Sequence, residues 1–140
     1  AILEMRGVPN IEVEQIASLF PVTETTAGRW RELHNRAMAQ VPNAGTLEQR
    51  DEEELTKGGA YFVHQQGELL GIGYLKEDCI AALAACKPGA GKQVLHSLCS
   101  VCPGIQLRLE VASTNERAIG LYERMGFLKV REISRWYRVQ

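Results

Sequence analysis

Between Ile105 and Phe127 the hydrophobic period of the chain changes once, from two to that of a helix. Ile105, Leu107, Leu109 and Val111 alternate with Gln106, Arg108 and Glu110, the pattern of a half-buried strand. Ser113 and Glu116 then form a capping-box pair that opens a helix. That helix runs to about Met125, where Gly126 is the residue type suited to a left-handed cap and Phe127 is the hydrophobic follower. A strand feeding directly into a helix confines the chain to folds in which helices pack on a sheet.

The remaining segments fit that frame. Ile2–Val8 reads as a strand, and Asn10 as the cap of a short helix carrying Ile16, Leu19 and Phe20 and stopped by Pro21. Trp30, Leu33, Ala37, Met38 and Val41 form a helical stripe ended by Pro42, with a turn at Asn43-Ala44-Gly45. Thr46 and Gln49 predict a capping box for a short acidic helix ending at Gly58-Gly59. Ala60–His64 and Leu69–Leu75 read as a hairpin around Gln65-Gln66-Gly67, followed by a third run, Cys79–Ala85. A glycine-containing loop, 87–91, precedes a helix over Lys92–Cys102, and two short strands, Phe127–Arg131 and Ile133–Val139, close the sequence. The order predicts one α/β domain over residues 1–140, with a mixed, mostly antiparallel sheet of six to seven strands and helices on both faces.

Composition narrows the function classes. A net charge of −1 argues against general nucleic-acid binding. No apolar run approaches the ~20 residues of a membrane span, and Glu4 and Arg6 near the start do not suit a signal peptide. A cytoplasmic, membrane-free protein is expected, as monomer or homodimer. The near-neutral total conceals a split: residues 1–80 hold 13 acids and 7 bases, residues 81–140 hold 4 acids and 9 bases. Cys79, Cys86, Cys99 and Cys102 read as free thiols. His96, Cys99 and Cys102 have ligand-type spacing, but no second pair completes a zinc site, so no metal is expected. The acidic run Asp51–Glu54 reads as a solvated helix face, and Arg131, Arg135 and Arg138 as solvent-facing.

On the helix after Ser113, Asn115 and Tyr122 are seven residues apart and so share a stripe about 10 Å long, with small Ala118 between them. That stripe could follow a long thin ligand, or Tyr122 could be a core aromatic and Asn115 a first-turn cap. The run Asn115-x-x-Ala118-x-x-Leu121-Tyr122-x-x-x-Gly126-Phe127, preceded by Leu109-Glu110-Val111, resembles the second motif of the GNAT superfamily of acyl-CoA N-acyltransferases. The resemblance implies a GNAT-like domain that uses acetyl-CoA without a metal. It implies that Asn115 and Ala118 flank the pantetheine arm and that Tyr122 lies near the sulfur and protonates the departing thiolate. By the same resemblance, backbone amides of the Cys79–Ala85 strand would hold the thioester carbonyl and pair with pantetheine, with Leu83, Ala84 and Ala85 as cofactor-binding residues.

The same family carries a pyrophosphate loop, matched here by Cys86-Lys87-Pro88-Gly89-Ala90-Gly91-Lys92-Gln93. Cys86 stands where Gln or Arg is usual. Glycines at a helix N-terminus let backbone N–H groups approach phosphate, and Lys87 and Lys92 add charge. A triphosphate P-loop is excluded by Cys86 and Gln93, where Gly and Ser or Thr are needed. Acyl transfer to an amine also calls for a base. Glu110 is the candidate, twelve residues before Tyr122, a separation that resembles the base–acid pair of GNAT enzymes acylating protein N-termini. His64 and His96 are weaker candidates. Trp30 and His34 are expected at the acceptor pocket. The acceptor is expected to be a small-molecule amine, a peptide N-terminus or a lysine, attacked directly in a ternary complex; a cysteine-linked route lacks a base partner. The rival reading is a non-catalytic acyl-CoA sensor on the same fold.

Overall fold

The computed structural model describes residues 1–39 and 45–133. The expected strand within 133–139, the end of the Trp30 helix at Val41 and Pro42, most of the following turn, and Arg135 and Arg138 lie outside the described residues, apart from Ile133 and Gly45. Among the described residues, seven strands form one sheet in the order β2-β3-β4-β5-β6-β1-β7. These are β1 (Ile2–Gly7), β2 (Ser18–Pro21), β3 (Ala60–Gln65), β4 (Glu68–Lys76), β5 (Cys79–Ala85), β6 (Leu107–Ala112) and β7 (Leu128–Ile133). Every neighbouring pair is antiparallel except β5 and β6, so the sheet is mixed and mostly antiparallel as expected.

Helices cover both faces. On one face, α3 (Gly91–Cys99) and α4 (Glu116–Met125) bury Leu95, Leu98, Ile119 and Met125 against Met5, Leu107, Leu109 and Phe127. On the other, α1 (Ala27–Met38) and α2 (Glu52–Leu55) bury Trp30 and Leu55 against Ala60, Phe62 and Ile72. α3 lies close to β4 because two glycines permit it. A Cβ on Gly71 would stand 2.3 Å from the Ala84 carbonyl oxygen and 2.6 Å from Val94, and one on Gly73 would stand 2.8 Å from Leu98.

Three local expectations are corrected. The segment carrying Ile16, Leu19 and Phe20 is not a helix. A single 3₁₀ turn, Val13–Gln15, leads into β2, whose residues pair with β3 from Ser18↔His64 to Pro21↔Tyr61. Three apolar residues bury less as a helix than this ladder secures, and buried Ser97 fixes the entry by accepting the Ala17 N–H at 2.7 Å. The acidic helix is opened by a reciprocal Glu48–Asp51 box rather than by Thr46, because Asn35 of α1 holds both the N–H and the C=O of Leu47 at 2.8 Å. α4 is capped by Asn115 rather than Ser113. The Ser113 N–H is engaged with the Ala1 carbonyl at 2.9 Å, which keeps Ser113 beside the sheet. The cap at Gly126 is left-handed, with φ of 108°, as the sequence predicts.

Candidate functional site

The parallel pair in the sheet is barely a pair. β5 and β6 share the single register Cys79↔Arg108, supported by the Arg108 N–H donating to the Asp78 carbonyl at 2.9 Å. Past that point, among the described residues, no further ladder pair joins them, and a gap opens towards their C-terminal ends. α3 starts from the end of β5 and α4 from the end of β6. Gly91 in the first turn of α3 faces Leu121 of α4, which a Cβ there would meet at 3.8 Å. A crevice outside the carboxyl ends of adjacent parallel strands is where sheets of this kind hold ligands.

β5 lines the gap with backbone. Its register with β4 slips between Tyr74↔Ala82 and Leu75↔Ile80, which leaves Ala81 as an extra, exposed residue. A bulge of this sort frees ladder groups from their usual partners. Ala81 is two residues past Cys79 and Glu110 is two past Arg108, so parallel strands bring them level across the opening. Further along, Leu83, Ala84 and Ala85 pair with Gly73, Ile72 and Gly71 on the β4 side. Alternate residues of such a strand turn their N–H and C=O the other way, an edge that an extended ligand can join.

The loop after β5 ends at α3. Gly89 has φ of 81° and open space where a Cβ would be, and Ala90 is a buried cap residue without a side-chain cap bond, so the first-turn N–H groups of α3 remain donors for a ligand. Lys87 pairs with Glu68 at 2.7 Å, Lys92 with Glu12 at 3.2 Å, and Gln93 donates to Gln65 at 3.1 Å. These contacts are exposed, so each lysine can exchange its carboxylate for a phosphate at little cost. Cys86 adds a feature that sequence reasoning missed. Burial raises its thiol pKa, while Arg29 and Arg36 of α1 act to lower it, which places two more cations near this loop. Their spacing of seven on the Trp30 helix was the available signal.

Tyr122 packs against the α3–α4 core with its ring edge-on to Phe127 at 6.0 Å. Burial, reinforced by the neighbouring Cys99, pushes its hydroxyl up to about 12, so it stays protonated and able to donate. Asn115 Oδ1 accepts the Ala118 N–H at 3.2 Å, so Asn115 serves as the cap, with Ala118 half-buried one turn on. Glu110 is exposed and alternates with core-facing Leu109 and Val111, so it projects from the α1 side of β6 while Tyr122 approaches from the α4 side.

No family model and no curated protein matches the sequence. Solved structures do match. An acetyltransferase of the GNAT family from Colwellia psychrerythraea superposes with a TM-score of 0.60 at 15% identity, over 91% of this chain and 52% of that one. The chain has the GNAT fold. Arabidopsis thaliana Naa50, solved with the bisubstrate analogue CoA-Ac-MVNAL, matches at 0.57 and 18% identity over 79% of this chain and 82% of its own. An aminoglycoside acetyltransferase from an uncultured soil metagenomic sample, solved with sisomicin, matches at 0.58 and 12% identity over 92% and 99%. The chain spans 60%, 47% and 42% of three other matched structures, about half the length of those proteins.

Within the GNAT fold the expected acceptor residues behave differently from one another. Trp30 is fully buried and its indole N–H donates to the Tyr61 carbonyl at 3.0 Å, which leaves it no surface for an acceptor to touch. His34 stacks on it at 5.5 Å, half-buried, and desolvation lowers its pKa. His64 lies against Phe20 at the far edge of the sheet, lining a cavity of about 260 Å³ with Ser18 and Gln66. His96 is buried under the 3₁₀ turn, where its Nδ1 accepts the Glu12 N–H at 3.0 Å. Neither of these two is beside the gap. Burial raises the thiol pKa of Cys79, Cys86 and Cys102, and that of Cys99 to about 12, so none is favoured as a thiolate nucleophile. Among the described residues, no group of three or more His, Cys, Asp or Glu is placed to hold a metal ion, and no helix is long and apolar enough to cross a membrane. Arg131 faces solvent as expected, its side chain 66% exposed, and its guanidinium also reaches Glu4 of β1 at 3.0 Å.

Proposed function

We propose that this domain is an acetyl-CoA-dependent N-acetyltransferase that transfers the acetyl group directly to a primary amine. The observation that carries this reading is the gap itself. A bulged strand edge and the uncapped N-terminus of α3 border one opening, Glu110 stands level with the bulge, and the adjoining α4 carries the protonated Tyr122. Matched structures solved with a CoA-linked bisubstrate analogue and with an aminoglycoside support the donor and the acceptor class.

In this reading the β5 edge at Leu83, Ala84 and Ala85 pairs with the pantetheine arm, and Gly89, Gly91 and Gln93 offer backbone N–H groups to the pyrophosphate, while Ala90, whose N–H donates to the Lys87 carbonyl at 3.1 Å, fixes the shape of the loop. Lys87 and Lys92 neutralise phosphate charge. A backbone group at the Ala81 bulge polarises the thioester carbonyl. Glu110, directly or through water, takes the proton the amine releases, and the Tyr122 hydroxyl protonates the leaving thiolate. The carbonyl carbon gains the amine nitrogen and loses the sulfur. We place this activity in the cytoplasm.

Two measurements test it. Acetyl-CoA raises the melting temperature of the protein, and free thiol is released when a panel of primary amines is added. An unchanged melting temperature ends the CoA reading. Stabilisation without thiol release from any amine favours a non-catalytic acyl-CoA sensor.

A further inference from the structure

The sheet face turned away from α3 and α4 carries a charge pattern that strand pairing normally avoids. Residues directly opposite in an antiparallel pair share a face, and like charges there destabilise the pair. In β1 and β6 two successive rows on this face are like-charged: Arg6 stands opposite Arg108, and Glu4 opposite Glu110. The rows are two residues apart, about 6.7 Å along the strands. The result is an arginine row beside a glutamate row. Arg108 is the last β6 residue paired with β5, and Glu110 borders the opening.

The rows are held in place by neighbours. Glu4 is only 3% exposed and accepts from Arg6 Nε and, at 3.0 Å, from Arg131 Nε. These guanidinium hydrogen bonds keep its carboxyl below the usual carboxylate range. Asp78 balances Arg108 through Nε at 3.3 Å. Both contacts of the arginine row use Nε, and each guanidinium carries four further N–H donors. The side chains of Arg6 and Arg108 remain 43% and 38% exposed. Two adjacent, accessible guanidinium groups match a carboxylate.

We propose that the acceptor amine is a free α-amino acid: Arg6 and Arg108 bind its carboxylate, and this places its ammonium beside Glu110 at the gap. The proposal rests on the acetyl-transfer reading and names its substrate class. A simple amine offers the remaining N–H donors of the arginine row no anion. A peptide N-terminus presents a neutral amide where the row presents positive charge. In the reaction the C–S bond breaks as the C–N bond forms. Of the three ammonium hydrogens, one stays on the product amide, one ends as the thiol hydrogen by way of the protein's acid and base, and one leaves to solvent.

The test compares free L-amino acids with their carboxamides as acceptors for acetyl-CoA, and repeats the comparison with Arg108→Gln. The expected result is a preference for the free acid of about tenfold or more in kcat/KM, the scale of a charge-assisted hydrogen bond. That preference collapses to within about threefold of unity in Arg108→Gln, with acetyl-CoA stabilisation of the variant showing that it is folded. Carboxamides used as well as free acids, or an undiminished preference in the variant, overturn the proposal. If acetyl-CoA binds but no acceptor is used, the transfer reading fails separately. Calorimetry with the free acids and their carboxamides then decides the arginine row: tighter binding of the acid supports it, and equal or absent binding overturns it.

Discussion

Tyr122 is useful because of what surrounds it rather than because of its position seven residues after Asn115. Its hydroxyl, pushed up to about 12, is fully protonated at neutral pH and so is available as a proton donor when the thiolate departs. Tyr122→Phe is expected to lower kcat by about a hundredfold, at the low end for loss of a general acid, while the acetyl-CoA Kd changes little. Unchanged turnover in stopped-flow or steady-state assays removes Tyr122 as the acid. His96 gives a second prediction at this scale. Desolvation lowers its pKa from 6.5 even though Glu12 acts in the opposite direction, so the unfolded chain binds a proton there more readily than the folded one. The stability it contributes is therefore complete above about pH 6.5 and is lost as the pH falls through the lower folded value. Thermal melts between pH 7 and pH 5 are expected to fall less steeply in His96→Gln than in the parent.

At the scale of elements, Gly71 of β4 is a close joint, with the β5 backbone at Ala84 and Val94 of α3 both pressed against it. A methyl group on Gly71 meets backbone at 2.3 Å, which no rotamer change relieves. Gly71→Ala is expected to destabilise the domain by about 1–3 kcal/mol in urea unfolding, with a further effect on the gap because β4 carries β5. This joint also shows where sequence reading stops. The strands β3 to β6 and the α4–Gly126 stop were legible because their periodicity and caps are local signals. Asn35 holding Leu47 and Ser97 holding Ala17 were not, because each joins segments whose partners the sequence does not specify. The β2 error has the same origin: a four-residue edge strand follows its neighbour, not its own pattern. For the site, the α4 stripe and the glycine loop were readable as spacing. The Arg6–Arg108 and Glu4–Glu110 rows were invisible until the register of β1 against β6 was known. Trp30, the most conspicuous acceptor candidate in sequence, is core because its indole N–H has a backbone partner inside.

Across the whole molecule, the base-rich part of the sequence, residues 81–140, supplies α3, α4 and the loop at the gap, while the acid-rich part supplies α1, α2 and β1 to β4. Arg29 and Arg36 cross that division and bring positive charge from α1 to Cys86. Attraction of polyanionic acetyl-CoA by these groups is expected to weaken with salt. Raising ionic strength from about 0.01 M to 0.15 M, which shortens the screening length from about 30 Å to 8 Å, should lower the association rate measured by stopped-flow fluorescence more than it raises the dissociation rate. The placement of β1 carries a different consequence, for assembly. This strand lies between β6 and β7, so Gly7 meets Leu107 and Ile2 meets Ile133. During synthesis it leaves the ribosome well before either neighbour exists, and closing loops of about a hundred residues delays its docking. The β3–β5 meander and α3 can pack early, but the Arg6–Arg108 row, and with it the acceptor side of the site, forms only when β1 docks on β6.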